Sequence, residues 1–366
     1  LFPAFFVSLP FHNRVACSAG ISENERRFGA FMTHAPLIWV LTDDRAGNVA
    51  QALGVAEALR RPFVAKEIRY TPLARLPNVL TGPTLLGLTP ESRMALTQPW
   101  PDVVIAAGRR TAPVARWIKR HAGKPVVLAH LMNPGRRGAD EFDLIAVPQH
   151  DCVLPTGDAP NVLRTTGAPH RLTAMRLKSA ADVWSAHLAH LPRPFVTVIV
   201  GGATHRKPFP AAMAADLGHA AGQMAASVGG SVLLASSRRT GRAAEQALLA
   251  AIPAPRQVFL WSEGGDNPYF GFLALADAIV VTGDSVSMCS EACATPVPVY
   301  IYAPEGMVAP KHARLHRNLY DLGLARPFSA QLKLETRQHP PLNPANDVAR
   351  AIDDLIRTRL PFTTRV

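Results

Sequence analysis

A chain of 366 residues that is 48% hydrophobic can bury substantial cores, and its length favours two domains over one. No apolar run reaches the ~18 residues that a membrane-crossing helix needs. The net charge of +12, with its basic excess leaning to the N-terminal half, points to an anionic membrane surface or a phosphorylated substrate, although an arginine-rich proteome would give the same charge with no partner; no Lys/Arg-rich run or RNA-binding signature is present, which argues against nucleic acid.

Residues 1–31 differ from the rest. LFPAFFVSLPF is a short apolar stretch with no basic segment before it, so it makes a poor secretory signal. Met32 directly precedes the first clean strand, and the expectation is that it is the native start, with 1–31 a disordered or non-native extension and a transit-like peptide the weaker alternative. Four cysteines, Cys17, Cys152, Cys289 and Cys293, form no CxxC pair and no disulfide framework. Cys289 and Cys293 share a helix face, where buried thiols are expected rather than a metal site lacking two further ligands. That usage fits a reducing, cytoplasmic setting, with peripheral attachment to the inner face of the cytoplasmic membrane as the place where the basic charge would act.

From Ala35 the chain alternates strand and helix patterns, the mark of a parallel sheet with crossover helices. PLIWVLT is an apolar strand, DDRAGN a polar turn carrying Asp43 and Asp44, and VAQALGVAEALRR a helix that Asn48 can cap, with Gly47 allowing close approach and Gln51 one turn on. The scheme recurs in DVVIAAGRRTAPVARWIKR, where Gly108, Arg109, Arg110 and Thr111 fill the turn. Two arginines there oppose the helix dipole, which suggests an anionic ligand that offsets the cost. PVVLAHLMNP and FDLIAVPQHD add two strands whose ends gather His130, Asn133, His150 and Asp151 at one sheet edge.

The pattern loosens after Pro155, and the passage between domains is expected near 170–194. PFVTVIVGGATHRKPF then opens a second domain, its Gly201-Gly202 turn able to present backbone N–H groups to a phosphate, followed by Thr204 and the basic Arg206. SVLLASSRRTGRAAEQAL ends its strand in Ser236, Ser237, Arg238 and Arg239, and arginine pairs suit diphosphate oxygens. QVFLWSEGGDNPYFGFLALAD supplies a strand, a loop containing Asn267 and a helix. AIVVTGDSVSMCSEACATPVPVYIY is a buried strand, a turn of Gly283, Asp284 and Ser285, a small-residue helix with Ser287 and Glu291, and another strand. Ligands of parallel sheets bind outside the carboxyl ends of strands, so Gly283, Ser285 and Ser287 read as a diphosphate cradle and Glu291 as a ribose-diol acceptor; an ordinary capped β-turn-α corner would read the same. The expected fold class is α/β, with two Rossmann-like domains facing across a cleft: 32–175 the N-terminal domain, 190–343 the C-terminal domain, and 344–366 a closing helix that packs back on the first.

TDDRAGNVAQALGVAEAL, WPDVVIAAGRRTAP, VPQHD, SSRRT, NPYFGFLALADAIVVTGDSVSMCSEA and the final PVY resemble the bacterial branch of the mitochondrial fission family named for elongated mitochondria. The matches run from about Thr42 to Tyr302. The resemblance implies a GT-B-like fold; bacterial members are described as glycosyltransferases or nucleoside-diphosphate-sugar enzymes, and plant members recruit a dynamin-related protein. A more distant likeness joins GDSVSM, Glu291 and PVPVYIY to the donor-domain signature of the peptidoglycan N-acetylglucosaminyltransferase. Carried over by position, it places Ser285, Ser287 and Met288 at the donor phosphates and Glu291 at the ribose. ATPVPV lacks the glycine that commonly precedes the Pro-Val pair in both groups, and DDRAGN departs from the Gly-Gly-rich first loop of the peptidoglycan enzyme, so acceptor identity does not transfer.

The mechanism these features favour is metal-independent transfer of a sugar from a nucleotide-diphosphate sugar to an envelope or lipid-linked acceptor, with no cofactor beyond that co-substrate and no DxD pattern at a strand end. Arg206, Arg238 and Arg239 would stabilise the leaving diphosphate. Asp43, Asp44 and His150 are the candidates for the base on the opposite wall, and Gly47, Asn48, Gln51, Gly108, Arg109 and Arg110 line the acceptor side. The alternatives are a nucleoside-diphosphate-sugar epimerase, which would share the cradle without a separate acceptor, and a non-enzymatic adaptor. A NAD-dependent enzyme ranks last, since no GxGxxG follows a predicted strand.

Overall fold

Short runs of β-branched and aliphatic residues bounded by glycine, proline or aspartate build twelve strands among the described residues. In the computed structural model, residues 35–78, 82–135, 137–151, 159–205, 207–329 and 332–360 are described. The expectations for residues 1–31 and Met32, and those for Cys17, Cys152 and Arg206, therefore lie outside the described residues. The elements discussed below belong to one compact unit, Pro36–Thr363.

The first sheet contains β1 (Ile38–Thr42), β2 (Phe63–Glu67), β3 (Val103–Ala107), β4 (Val127–Leu131), β5 (Leu144–Pro148) and β6 (Val162–Thr165), in the order β2-β1-β3-β4-β5-β6. The second contains β7 (Phe195–Ile199), β8 (Ser231–Ala235), β9 (Arg256–Phe259), β10 (Ala278–Thr282), β11 (Val299–Tyr302) and β12 (Arg326–Pro327), in the order β12-β11-β10-β7-β8-β9. Every pairing is parallel. β3, β4, β5, β7, β8 and β10 are buried along their whole length, as strands covered by helices on both faces must be. These are two Rossmann-like domains. The strand order reverses between β1 and β3 in one sheet and between β7 and β10 in the other, and such switch points open a crevice at the carboxyl ends of the strands.

Helices cover both faces of each sheet. On the first, α1 (Ala46–Ala58) buries Ala52, Val55 and Ala56 against Ile38, Val40 and Ile105, while α3 (Ala112–His121) buries Val114, Ala115 and Ile118 on the opposite face with Leu41 and Leu128. A short α2 (Pro90–Met94) lies between them in sequence. On the second sheet, α5 (Ala211–Ala226) and α6 (Arg242–Ala251) cover one face. The other carries α4 (Ala174–Leu188), α7 (Tyr269–Leu275), α8 (Val286–Ala292) and α9 (Pro310–Asp321). The final helix, α10 (Pro344–Arg359), returns to the first sheet: Val348, Ile352 and Ile356 join the core of α1 and β1, Arg61 pairs with Asp353 at 2.6 Å, and Arg359 pairs with Asp143.

One correction to the sequence reading concerns a local element. Asn48 does not cap α1; the helix begins at Ala46, because the Asp43 carboxylate accepts the Arg45 N–H at 3.0 Å and turns the chain earlier. The stretch at 170–194, read as a passage that includes one helix, contains α4, whose Trp184 packs edge-on against Phe272 of α7, with ring centroids 6.1 Å apart. The chain thus crosses between the sheets in the few residues after β6 and again before α10. The two crossings touch, with His170 Nε2 3.1 Å from the Leu342 carbonyl. Glu57 of α1 anchors the first crossing by accepting from Arg171 and Arg176.

A Cβ on Gly54 of α1 would stand 2.4 Å from the His170 carbonyl oxygen, a backbone atom that cannot step aside without moving the crossing. Gly54→Ala is expected to cost about 1–3 kcal/mol, read as a lower urea midpoint. Gly47→Ala in the same helix, with nothing within 4 Å, should leave the midpoint unchanged or slightly raised.

Candidate functional site

The groove at the carboxyl edge of the second sheet is organised by a buried ion pair. Asp284 follows β10 with its side chain 1% exposed, and accepts from Arg239 Nη1 at 2.5 Å; its other oxygen, Oδ1, is buried with no partner among the described residues. Arg239 also donates to the Ala203 carbonyl at 3.1 Å, which ties the turns after β7, β8 and β10 together. Gly201 and Gly202 make this closeness feasible. A Cβ on Gly201 would lie 2.4 Å from the Asp284 carboxylate, and one on Gly202, whose φ is +115°, would lie 2.4 Å from the Arg239 carbonyl.

Above this pair lies an open groove of about 710 Å³ lined by Thr204, His205, Arg239, Asp284, Ser285, Val286, Ser287, Ala309, Lys311 and His312. Ser285 caps α8, accepting from the Met288 N–H at 3.3 Å. Lys311 and His312 come from the start of α9, a contribution that the sequence reading missed. PKHARLHR signals a basic helix, but nothing local says that it folds against the turn after β10. His316, one turn further along, sits beneath that turn with Nε2 2.9 Å from the Gly283 carbonyl, and a Cβ on Gly283 would strike its ring.

Several expected donor residues have other work. The Gly201 N–H donates to Thr282 Oγ1 at 2.8 Å and the Ala203 N–H to the Arg239 carbonyl at 3.0 Å. The glycine turn therefore packs against Asp284 and Arg239, and these amides are not offered to a phosphate. Ser236 is buried, donating to Glu245 at 2.5 Å and accepting from the Trp261 N–H at 2.8 Å, so it braces β8 against α6. Arg238 is exposed and does not line the groove. The Met288 side chain packs against the core of the second sheet. Asn267 accepts the Tyr269 N–H at 3.0 Å, and the Tyr269 hydroxyl in turn donates to Glu291 at 2.5 Å. Glu291 lies outside the groove lining, and burial raises its carboxyl to about 7 against the opposing effect of that hydrogen bond.

On the first sheet, the turn residues interlock around Arg110. Its guanidinium pairs with Asp44, stands 3.5 Å from Asp43 and lies 4.3 Å over the Tyr70 ring. Asp43, whose side chain is 1% exposed, also accepts from Asn48 Nδ2 at 3.2 Å. Gly108, at φ +85°, leaves room for the Asn48 amide, which a Cβ there would meet at 2.4 Å. Gln51 is buried, with Oε1 unpartnered among the described residues. Gly47 faces open space. Arg109 turns to hold the Leu76 carbonyl at 2.8 Å and Asn78, so the arginine pair is split between a carboxylate cluster and a loop. His130 and Asn133 are structural: the His130 ring is fully buried between the Met132 and Gly108 carbonyls, and Asn133 accepts the Gly135 N–H.

His150 is where the two halves meet. It is 3% exposed, its carbonyl accepts from Arg314 Nε of α9 at 3.0 Å, and its Nδ1 has no partner among the described residues. Burial lowers its pKa to about 4, with Asp151 opposing and Lys311, His312 and Arg314 adding to the effect. The ring is neutral at pH 7 and keeps an uncommitted nitrogen beside the helix that supplies Lys311 and His312 to the groove. Cys289 and Cys293 are buried free thiols in the core, raised by burial. Among the described residues no three His, Cys, Asp or Glu side chains converge as a metal site requires.

The family described as Mitochondrial fission ELM1 matches residues 46–356. This chain belongs to that family. The mitochondrial fission protein ELM1 of Arabidopsis thaliana is 30% identical over 286 residues, covering 73% of this chain and 66% of the plant protein, so the chain spans just under two thirds of that relative's length. An uncharacterized protein of Rickettsia prowazekii (strain Madrid E) is 29% identical over 347 residues, covering 86% of this chain and 97% of that one. Among solved structures, the UDP-GlcNAc 2-epimerase from Methanocaldococcus jannaschii superposes with a TM-score of 0.51 at 12% identity, over 87% of this chain and 99% of that chain. At that identity the likeness is one of fold: this member of the ELM1 family is built on the same two-domain α/β plan. No helix among its described residues is long and apolar enough to cross a membrane.

The buried histidines make the fold sensitive to acid. His130, His150 and His316 are each lowered from 6.5 to about 4, in each case chiefly by burial. Between those values the unfolded chain binds protons that the folded chain refuses, so stability should be full above about pH 6.5 and fall as pH drops toward 4. Each histidine contributes about 1.4 kcal/mol per pH unit within that window. Urea midpoints at pH 7 and pH 5 measure the loss, and His130→Gln should flatten the slope.

Proposed function

We propose that the chain transfers a sugar from a nucleoside-diphosphate sugar, bound in the groove of the second domain, to an acceptor on the wall of the first, without a metal ion. The observation that carries this reading is the convergence, at the switch point of β7 and β10, of Arg239, Ser285, Ser287, Lys311 and His312 around one open groove, with His150 of the first domain packed against the same helix. Cations and hydroxyl donors fixed in such a place stabilise the charge that develops on a departing diphosphate. The acceptor hydroxyl oxygen forms its bond to the anomeric carbon as the bond from that carbon to the diphosphate oxygen breaks, and the hydroxyl proton passes to a base. Asp43 and Asp44 both face the Arg110 guanidinium, whereas His150 is neutral and its unengaged Nδ1 is buried, so an acceptor must uncover that nitrogen for His150 to take the proton. Asp43, Asp44 and Arg110 then shape the acceptor wall.

The name of the structurally similar epimerase makes UDP-sugars the first donors to try, and it supports a second reading in which the same groove serves rearrangement of the sugar. Calorimetric titration with UDP-, GDP-, ADP- and CDP-sugars is the test. One of them should bind, and Ser287→Ala or Lys311→Ala should each weaken it by about 1–2 kcal/mol, the scale of a hydrogen bond to a charged group. A rearranged sugar formed from donor alone would favour the epimerase, and no binding by any donor would favour an adaptor akin to the plant relative. His150→Gln should lower kcat with little change in donor affinity.

A further inference from the structure

Between β2 and β3 the described residues 68–78 and 82–102 form a surface knot beside the carboxyl edge of the first sheet, where Asn78 Nδ2 donates to the Arg109 and Pro134 carbonyls. The Thr71 N–H donates to the Gly87 carbonyl at 2.9 Å, a Cβ on Gly87 would touch Ala74, and Arg93 of α2 donates to the Leu86 and Leu88 carbonyls at 3.0 and 3.1 Å. This knot holds its large apolar side chains outward: Leu73, Leu76, Leu86 and Met94 are 53%, 46%, 60% and 69% exposed. Isolated exposed apolar residues are ordinary, but three leucines and a methionine protruding from residues tied to one another call for a partner.

The charges around the patch say which partner. Arg93 is satisfied only by carbonyls, Arg109 by the Leu76 carbonyl and Asn78, and Arg75 is exposed with no partner among the described residues. Three guanidinium groups uncompensated by carboxylates, set among protruding aliphatic side chains, match an anionic lipid surface, where the apolar groups enter the headgroup boundary and the cations meet phosphates. A second copy of the chain fits poorly, because two-fold pairing of this face would set the arginines against their own images.

We propose that the surface of Leu73, Leu76, Leu86 and Met94, with Arg75, Arg93 and Arg109, docks this protein onto an anionic bilayer. A small hollow of about 30 Å³ is lined by Leu73 and Leu76 of this face together with Tyr70 and Arg110 of the acceptor wall, so docking here would set that wall beside the membrane surface. That consequence rests on the sugar-transfer reading, whereas the docking itself does not.

The full chain is sedimented with vesicles of phosphatidylcholine alone or mixed with phosphatidylglycerol, with no sugar present. Binding is expected only to the mixed vesicles, weakened by salt and weakened about tenfold or more by the paired substitution Leu86→Ser with Met94→Ser. Arg75→Glu, at an exposed and unpartnered position, is a second variant that should weaken binding without disturbing the fold. Failure of the native chain to bind mixed vesicles, undiminished binding by both variants, or light scattering that shows a dimer dispersed by the apolar pair would each overturn the proposal. Because no nucleotide sugar takes part, this outcome and that of the calorimetric titration are independent.

Discussion

The buried pair between Asp284 and Arg239 is the constraint on which the second domain's groove depends. A carboxylate with a side chain 1% exposed is tolerable only while a guanidinium lies against it, and removing one partner of such a pair strands a charge in the interior. The pair fixes the positions of three strand-end turns at once. Asp284 belongs to the turn after β10, Arg239 to the turn after β8, and the Ala203 carbonyl to the turn after β7. Ser285 and Ser287 line the groove from a base that cannot move independently.

The same logic recurs in the first domain with the charges exchanged. There an arginine, Arg110, is the hub, and two carboxylates from the turn after β1 close on it. In each half a buried histidine supports the glycine of a turn: His130 lies 3.2 Å from the Gly108 carbonyl and His316 lies 2.9 Å from that of Gly283. Both rings are neutral near pH 7 because burial disfavours the imidazolium. The two walls are therefore set by paired charges and uncharged rings, which leaves Lys311 and the exposed face of Arg239 as the cations that a ligand in the groove would meet, beside the His205 side chain.

The halves are held in register by short, specific contacts. The crossings meet at His170 and Leu342, Glu57 gathers Arg171 and Arg176, and Arg314 reaches the His150 carbonyl. The last of these lies between the two halves, so His150 of the first domain is positioned by a helix of the second. Any change in the angle between the domains would alter the surroundings of His150 before it altered either sheet.

Much of the architecture was legible in the amino-acid sequence alone. Runs such as VVIAA and AIVVT can only be strands covered on both faces, because no alternation exposes a polar side, and the glycine, serine and aspartate residues that follow them mark the turns at which parallel sheets bind ligands. What the sequence could not assign was the work of each polar group. Ser236, Met288, Arg109 and the Gly201 amide stand at the right positions for a ligand, yet each is engaged within the protein by a neighbour distant in the chain. Lys311 and His312, from a helix that carries no recognisable motif, line the groove instead. Strand and turn identity follow from local sterics and burial periodicity, which a short window contains; the commitment of a donor or acceptor depends on which atoms lie within about 3 Å, and only the packing of the two sheets decides that.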